Sequence, residues 1–324
     1  MKPAFCKISS VNIDGRGSNR LMIVLKTKGC EYAQKTGGGC TVCGFLNHAE
    51  PNITGEEMLD QLDFVLKTFD LAEVEEIDIL TLGSFLNDSE VNPVTRLEII
   101  TRLSEISHLK RVSIESRAEY VTVDKIKQIK EILGKGKIME FAIGLESSND
   151  YLRNKIIKKG LSKQSFEKTV AKVKEAGVHL LTYLLIKPPH VSEKEAITDA
   201  VESAAYVFHT AGKIGVSARV AFEPVFVCEN THLETLYLQS QYRLLNLWSV
   251  VEVIKKAHDY GCLFIGLSDE NLSLERMPHS CTSCGGKIID AIERFNKSQD
   301  ISEILDLDCQ CKSQYIERRE KGEI

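Results

Sequence analysis

Short apolar runs alternate with longer segments of helical periodicity over most of the chain. Six runs rich in β-branched and aliphatic residues have the length and composition of buried strands. They are residues 21–27, 76–82, 111–115, 138–144, 179–186 and 215–224. This alternation predicts an α/β fold with parallel strands and crossover helices. Six consecutive units favour a partial (β/α)6 TIM-like barrel, with a doubly wound sheet as the alternative.

Helix boundaries are marked by polar caps and by glycine. The pairs Thr54/Glu57 and Ser192/Glu195 have the spacing of a capping box, in which a hydroxyl and a carboxylate satisfy free backbone N–H groups. Gly177 follows a helical segment, as is typical of a C-terminal cap. We therefore expect helices to begin near residues 55 and 193 and one to end at residue 176.

Composition limits the class of protein. The chain has 324 residues, of which 43% are hydrophobic and 27% charged, as in globular proteins. It has no apolar run of the roughly 20 residues that cross a bilayer, and no long apolar stretch near Met1, so we expect a cytoplasmic protein without membrane contact. Ten cysteines in a reducing compartment indicate metal binding rather than disulfides. A net charge of -5 argues against a surface that is basic throughout, but not against a local basic patch.

One change in composition divides the chain. Beyond residue 270 there are four cysteines and no convincing strand, and there is no internal repeat or long linker before it. We expect a barrel over residues 1–270 and a small cysteine-rich, metal-binding extension over residues 271–324.

Three cysteines follow the first predicted strand: Cys30, Cys40 and Cys43. Three thiolates are one too few to close a structural metal site. They predict a cluster or metal that holds a small molecule at its open position. A zinc site that borrows a distant ligand, or buried free thiols, are the alternatives.

Polar residues and glycines also follow the next three predicted strands. Barrel enzymes place their chemistry at the carboxyl ends of the strands, so these residues are expected to share one rim with the cysteines. They are Gly83 and Ser84 after the second strand, Glu115 and Arg117 at the third, and Gly144 and Glu146 at the fourth.

Together these residues resemble the radical S-adenosylmethionine (SAM) superfamily. Nine and then two residues separate the cysteines, which is similar to the branch that contains the catalytic subunit of Elongator. The resemblance implies that Cys30, Cys40 and Cys43 ligate a [4Fe-4S] cluster whose fourth iron is chelated by SAM. It further implies that reduction of the cluster cleaves SAM to a 5′-deoxyadenosyl radical.

The same resemblance assigns roles to the rim. The Gly83-Ser84 turn would receive the methionyl amino group, and Glu115 would accept hydrogen bonds from the ribose hydroxyls. Arg117 would pair with the methionyl carboxylate. Gly144 and Glu146 would lie near adenine.

A narrower resemblance covers nearly the whole chain. Six segments look like the RaSEA family, the radical SAM proteins of archaeosine formation. They are residues 83–86, 114–122, 144–150, 184–189, 247–253 and 307–312. This resemblance implies a C-N lyase that acts on transfer RNA and cleaves a lysine adduct of a 7-deazaguanine base, leaving archaeosine. The implied partners are a lysine-adding archaeosine synthase and an electron donor.

Two segments depart from the family pattern. Residues 223–228 begin with Glu-Pro where the family has Asn-Pro, and residues 242–248 lack a Pro-Pro-Trp sequence. Both lie near the sixth predicted strand, where substrate would be met. A radical SAM enzyme for another tRNA base or for a small molecule is therefore an alternative, and a non-catalytic metal-bound adaptor is a second.

The extension contains a second group of cysteines: Cys281, Cys284, Cys309 and Cys311. Four thiolates in two close pairs can close a tetrahedral zinc site, which we favour over an auxiliary iron-sulfur cluster or unliganded thiols. His279 is close enough in sequence to replace one cysteine, but an ordinary loop histidine is the preferred interpretation.

A basic stretch follows the fourth predicted strand. Arg153, Lys155, Lys158 and Lys159 are candidates to hold phosphates of a nucleic acid near the rim, and a solvated helix face is the alternative. Lys187, after the fifth predicted strand, is either a contact to substrate or SAM or a loop lysine.

Overall fold

The computed structural model describes residues 1–267 and 274–324, and this part of the chain forms a sheet of eight strands. Their order in the sheet is their order in the chain. The first pair is antiparallel and every later pair is parallel. The strands are β1 (Phe5–Ile13), β2 (Arg16–Leu25), β3 (Val74–Thr81), β4 (Arg111–Glu115), β5 (Ile138–Glu146), β6 (His179–Ile186), β7 (Ala218–Pro224) and β8 (Cys262–Ile265).

Helices connect the parallel strands, and successive helices from α2 to α6 pack against one another. Among the described residues they are α1 (Glu31–Thr36), α2 (Gly55–Thr68), α3 (Pro93–Ser104), α4 (Val123–Leu133), α5 (Lys163–Ala176), α6 (Glu193–Ile214), α7 (His232–Leu238), α8 (Leu247–Ala257), α9 (Gly285–Ser298), α10 (Ser302–Leu305) and α11 (Gln310–Glu320). None of these helices is both long enough and apolar enough to cross a membrane.

The partial barrel and its helix caps are confirmed. The six predicted strands correspond to β2 to β7, and both capping boxes form, at the starts of α2 and α6. Gly177 ends α5 in the left-handed conformation, with φ 66°. Two features differ from the prediction: β1 and β8 extend the sheet, and Gly215 is the C-terminal cap of α6 (φ 79°) rather than the start of a strand. The predicted boundary at residues 270 and 271 lies outside the described residues.

The barrel interior is filled in layers below the rim. At the amino ends of the strands lies a buried layer of ion pairs. It contains Arg111 with Glu76 (3.0 Å), Arg219 with Glu76 and Glu140, and Arg20 with Asp78 (3.1 Å). An apolar layer packs among these groups and above them, and it includes Val11, Ile13, Ala142, Leu181, Ala221 and Phe264. These side chains fill the middle of the barrel. A cavity of about 250 Å³ lies at the carboxyl ends of the strands, and a smaller one of about 160 Å³ lies at their amino ends.

Helix α9 covers the gap between the two edge strands. In the described residues β1 and β8 share no ladder, and α9 packs on β1, β2 and β8. The side-chain amide of Asn296 accepts from Ile265 N (2.9 Å) and donates to Ile265 O (3.0 Å). Gln299 makes the same pair of bonds to Leu263, at 2.9 and 2.8 Å. Two amide side chains thus satisfy the free edge of β8, as a neighbouring strand would.

The cysteine-rich extension shares the hydrophobic core of the barrel. Ile288, Ile292 and Phe295 of α9 and Tyr315 of α11 are buried in the same cluster as the outward faces of the strands. The extension is therefore packed on the barrel as part of one core.

Asn296→Ala should lower the free energy of unfolding by about 1 to 3 kcal/mol, because it leaves a buried N–H and a buried C=O of β8 without partners. Asp290→Ala, at an exposed position of the same helix, is the matched control and should change it by less than about 0.5 kcal/mol. Denaturant titration followed by circular dichroism measures both. Equal values for the two variants would contradict the role given to Asn296.

Candidate active site

The loop after β2 brings its cysteines back to one place. Cys30 precedes α1, and α1 ends at Gly37, whose φ of 70° is left-handed. The chain then turns back through Gly39, where a Cβ would lie 2.6 Å from the Cβ of Ala33. Only glycine fits so close to the helix. The nine residues between Cys30 and Cys40 therefore form a helical turn that folds back on itself.

The loop is fixed to the strand ends on two sides. Thr41 donates from its backbone N to Ile157 O (2.9 Å) and from its hydroxyl to Ile156 O (3.0 Å). On the other side, Gly44 packs against Cys228, because a Cβ at Gly44 would lie 2.6 Å from the Cβ of Cys228. The loop thus sits between the segments that follow β5 and β7.

A cavity of about 250 Å³ lies beneath this loop at the carboxyl ends of the strands. One side, here called the cysteine wall, carries the three thiols and charged groups: Cys30, Cys40, Cys43, Glu115, Arg117, Glu146 and Lys159. A second part of the lining, here called the β6–β7 wall, consists of Tyr183, Leu185, Glu223, Pro224, Val225 and Phe226. Of the predicted rim residues, Ser84 and Gly144 do not line this cavity, and the structure brings the others together there: Cys30, Cys40, Cys43, Gly83, Glu115, Arg117 and Glu146.

The Sγ atoms of Cys30, Cys40 and Cys43 do not all lie within 4.8 Å of one another. Within residues 1–267 and 274–324, only the four cysteines of the extension form a group whose ligand atoms all lie within 4.8 Å of one another. A single tetrahedral ion with bonds of about 2.3 Å needs sulfurs about 3.8 Å apart, whereas a cluster of several irons is held by thiolates spaced more widely. Burial raises the pKa of Cys30 and of Cys40, so the thiolates need a nearby positive charge such as a metal.

The turn after β3 approaches the cysteine loop closely. A Cβ at Gly83 would lie 2.0 Å from Oε2 of Glu90 and 2.8 Å from Cα of Cys30. The Ser84 backbone N donates to the Glu90 carboxylate, which also accepts from the backbone N of Glu31 (2.9 Å). Glu90 therefore joins the Gly83-Ser84 turn to the start of α1. Sequence reasoning missed Glu90, since it is one acid in a polar loop and belongs to no motif.

Glu115 and Arg117 stand at the end of β4. Burial raises the pKa of the Glu115 carboxyl to about 7, although nearby Lys159 acts in the opposite direction. Arg117 is held by Glu119 (2.6 Å) and by the backbone O of Lys159 (3.0 Å), and it lies 3.9 Å from the ring centre of Tyr32. Both side chains line the cavity, and these contacts fix the position of Arg117.

The end of β5 supplies a second charged pair. Oε1 of Glu146 is 2.5 Å from Nζ of Lys159, and both side chains are mostly buried. Gly144 leaves room for them, because a Cβ there would lie 2.3 Å from the Glu146 carboxylate and 2.5 Å from the Lys159 amine. Lys159 thus lies inside the cavity and not on the outer basic surface.

The predicted basic surface is smaller than the sequence suggests. Lys155 and Lys158 are exposed beside the rim. Arg153 is a correction: its side chain is fully buried, and it donates to the backbone oxygens of Ser147 (2.9 Å) and Leu161 (2.6 Å). It cannot reach a phosphate at the surface.

Lys187 is a second correction. Its side chain is buried and its Nζ lies 2.8 Å from Glu193, at the first position of α6. It does not line the cavity, and it is neither a substrate contact nor a solvated loop lysine. Its charge stabilises a buried carboxylate instead.

Tyr183 and Leu185 on the β6–β7 wall were not singled out from the sequence. Their positions could have been found by alternation, because residues 183 and 185 of β6 and residue 223 of β7 fall on the interior faces of their strands. The prediction stopped at strand ends with a recognised motif and so left this wall without assigned residues.

The four cysteines of the extension form a compact group beside α8. Sγ of Cys281 lies 3.4 Å from that of Cys284 and 3.6 Å from that of Cys309, and Cys284 lies 3.6 Å from Cys311. The indole Nε1 of Trp248 donates to Sγ of Cys311 (3.4 Å). His279 is outside the group; its ring hydrogen-bonds the backbone O of Met277 (3.0 Å). The four thiols are thus close enough together to hold one metal ion.

Solved structures with the same barrel are known. An archaeal Elp3 from Methanocaldococcus infernus superposes with a TM-score of 0.51 at 14% identity, covering 90% of this chain and 64% of that one. Methylornithine synthase (PylB) superposes with a TM-score of 0.53 at 16% identity, covering 76% of this chain and 64% of that one. No protein-family model matches the chain. These two likenesses show that the chain shares the barrel fold of those proteins.

Relatives in sequence extend over nearly the whole chain. Archaeosine synthase subunit beta of Methanosarcina acetivorans is 30% identical over 93% of this chain and 85% of its own length. The protein of the same name from Thermococcus kodakarensis is 32% identical over 95% of this chain and 94% of its own length. An uncharacterized protein of Methanocaldococcus jannaschii is 34% identical over 93% of this chain and 83% of its own length. The chain belongs to the archaeosine synthase subunit beta family.

Gly83→Ala should impair assembly of the cysteine site, because the added methyl group displaces either Glu90 or the backbone of Cys30. We expect the iron bound after anaerobic reconstitution to fall at least several-fold, measured by elemental analysis and ultraviolet-visible absorption. Gly136→Ala is the matched control, since a Cβ at Gly136 meets nothing within 4 Å. Normal iron loading in Gly83→Ala would show that the close approach is unimportant.

Proposed function

We propose that this chain is the radical SAM subunit of an archaeosine-forming enzyme. It would cleave a C-N bond in a lysine adduct of a 7-deazaguanine base in transfer RNA and leave the amidine of archaeosine. The observation that carries this proposal is the cavity, whose lining combines three cysteines with a largely apolar β6–β7 wall, in a relative of archaeosine synthase subunit beta.

The residues of the cysteine wall fit the cofactors of this class. Cys30, Cys40 and Cys43 would ligate a [4Fe-4S] cluster, which when bound supplies the electron that cleaves SAM to a 5′-deoxyadenosyl radical. Gly83 lines the cavity together with Cys30, so the backbone of the Gly83-Ser84 turn would meet the methionyl end of SAM. Supporting this assignment, each of these groups lies next to the cavity or lines it.

Four rim groups would fix the rest of SAM. Glu115, as a carboxylate, would accept hydrogen bonds from the ribose hydroxyls, and Arg117 would pair with the methionyl carboxylate. Gly144 and Glu146 would lie near adenine. Since Glu146 and Arg117 are already held by Lys159 and Glu119, little ordering is needed when SAM binds.

The chain's own apolar residues would protect the reaction. Val24 and Leu82 line the cavity near its floor, and Leu185 and Val225 line the β6–β7 wall. These side chains exclude water from the space where substrate meets the cofactor. Apart from cofactor binding, the protein's contribution is to position two reactants and keep the site dry.

The proposed partners follow from the same family relation. Lys155 and Lys158 would hold phosphates of the transfer RNA outside the cavity. The relatives are named as beta subunits, which supports a partner subunit that attaches lysine to the base. An electron donor would reduce the cluster. We place these interactions in the cytoplasm.

For the extension we propose a structural zinc ion. Sulfur separations of 3.4 to 3.6 Å are close to the roughly 3.8 Å of a tetrahedral site with four zinc-sulfur bonds of about 2.3 Å. A four-iron cluster needs wider spacing. With the ion bound, Cys284 fixes the start of α9, so residues 271–324 would act as a metal-stabilised unit that closes the barrel.

Incubating the reconstituted protein and reductant with lysine-adducted transfer RNA should give archaeosine, detected by mass spectrometry, and 5′-deoxyadenosine. Cys40→Ala should lose both products and about four irons per chain while keeping one zinc. Formation of a different modified base, or turnover of a small molecule in place of the transfer RNA, would contradict the proposed substrate. Loss of zinc together with iron in Cys40→Ala would show that the two cysteine groups are not independent.

SAM affinity should depend on pH through Glu115. Its carboxyl must be ionised to accept from two ribose hydroxyls, and with a pKa of about 7 it is protonated below neutrality. Affinity should therefore be constant above about pH 8 and fall up to tenfold per pH unit below 7. Equilibrium dialysis with SAM and no reductant measures this. Glu115→Gln should bind SAM more weakly at pH 8, and its SAM affinity should not change with pH below 7. A pH dependence that persists in Glu115→Gln would show that another group titrates.

A further inference from the structure

Glu223 is placed to face the cavity by the register of β7. Residues 219, 221 and 223 fall on the interior face of that strand. Arg219 belongs to the buried ion-pair layer and Ala221 to the apolar layer above it. Glu223 is the next interior position and lines the cavity itself.

The neighbouring strand makes room for this carboxylate. A Cβ at Gly266 would lie 2.1 Å from Oε2 of Glu223 and 2.6 Å from its Oε1. Gly266 is tied to β7 by its backbone N, which donates to Phe222 O (2.8 Å). The carboxylate therefore lies flat against the backbone after β8, in a space that any side chain at residue 266 would fill.

Charge is distributed unevenly around the cavity. On the cysteine wall, acids are balanced by bases: Glu115 and Glu146 face Arg117 and Lys159. Among the described residues of the β6–β7 wall, Glu223 is the charged one, and the others are apolar or tyrosine. This wall thus presents one negative charge within an apolar surface.

Tyr183, the polar neighbour on this wall, adds no charge to it. Burial is the main cause that raises the pKa of Tyr183 well above its usual value, and nearby acids and Arg20 act in opposite directions. A carboxylate in an otherwise apolar surface favours a cationic ligand.

We propose that Glu223 binds an ammonium group of the substrate. This inference rests on the proposed function and takes the lysine to be attached to the base through its side-chain nitrogen, which leaves its α-amino group free. The aliphatic chain of that lysine would pack on Leu185 and Val225, and its ammonium would meet Glu223. A carboxylate has two oxygens that accept several hydrogen bonds, so contacts within the protein leave capacity for this one.

The test compares two chemically prepared transfer RNAs, one with the lysine adduct and one with a 6-aminohexanoate adduct, which lacks only the α-amino group. Binding to the reconstituted protein is measured with SAM but no reductant. The wild-type protein should prefer the lysine adduct by about 10- to 100-fold. Glu223→Gln should bind the two RNAs equally. Glu229→Gln, an exposed change of the same type outside the cavity, should keep the wild-type preference.

Either of two outcomes would overturn the inference: no preference in the wild-type protein, or a preference that survives in Glu223→Gln. The wild-type comparison needs no variant, so a misfolded Glu223→Gln does not prevent a decision. Adding reductant afterwards tests the proposed reaction separately. If the wild-type protein prefers the lysine adduct but forms no archaeosine, the role of Glu223 in binding stands and the proposed C-N cleavage is refuted.

Discussion

The free edge of β8 is the constraint on which the rest of the structure depends. A parallel sheet of seven strands, opened by one antiparallel hairpin, leaves a row of backbone N–H and C=O groups that must be satisfied. Asn296 and Gln299 of α9 satisfy those of Leu263 and Ile265. The helix that does this begins at Cys284, inside the four-cysteine group. Closure of the barrel is therefore tied to the extension.

The buried ion pairs under the cavity serve a different purpose. Removing three arginines and three carboxylates from water is costly, and their mutual attraction only partly offsets that cost. Such a layer is poor at adding stability but good at fixing which strand faces which. Each arginine has a partner on another strand: Arg20 on β3, Arg111 on β3, and Arg219 on β3 and β5. The floor of the cavity is thereby held in register.

Much of the barrel could be predicted because its determinants are local. Apolar runs mark β2 to β7, and Thr54 and Ser192 mark helix starts, since strand burial and helix capping depend on residues close in sequence. β8 was missed because four residues are too short to show a pattern. β1 was missed because polar and apolar residues are mixed on one face, where Lys7 and Ser9 precede Val11 and Ile13, and because it pairs only with β2.

The candidate site divides in the same way. Residues at strand ends could be placed, because the fold itself brings those ends together. The direction of a long basic side chain could not be predicted. Arg153 turns inward to backbone carbonyl oxygens, and Lys187 turns inward to Glu193. Neither interaction can be read from the local sequence. Glu90 was missed for the same reason, since its partners belong to the turn after β3 and to α1.

The helical turn between Cys30 and Cys40 has a consequence for how such sites are found. A short helix closed by Gly37 and folded back at Gly39 takes up residues without moving the thiols apart. The number of residues between the cysteines therefore does not by itself set the distance between the thiols, because the turn brings the chain back. A search pattern with fixed cysteine spacing would pass over this chain. One that asks for a glycine turn before the second cysteine would retain it.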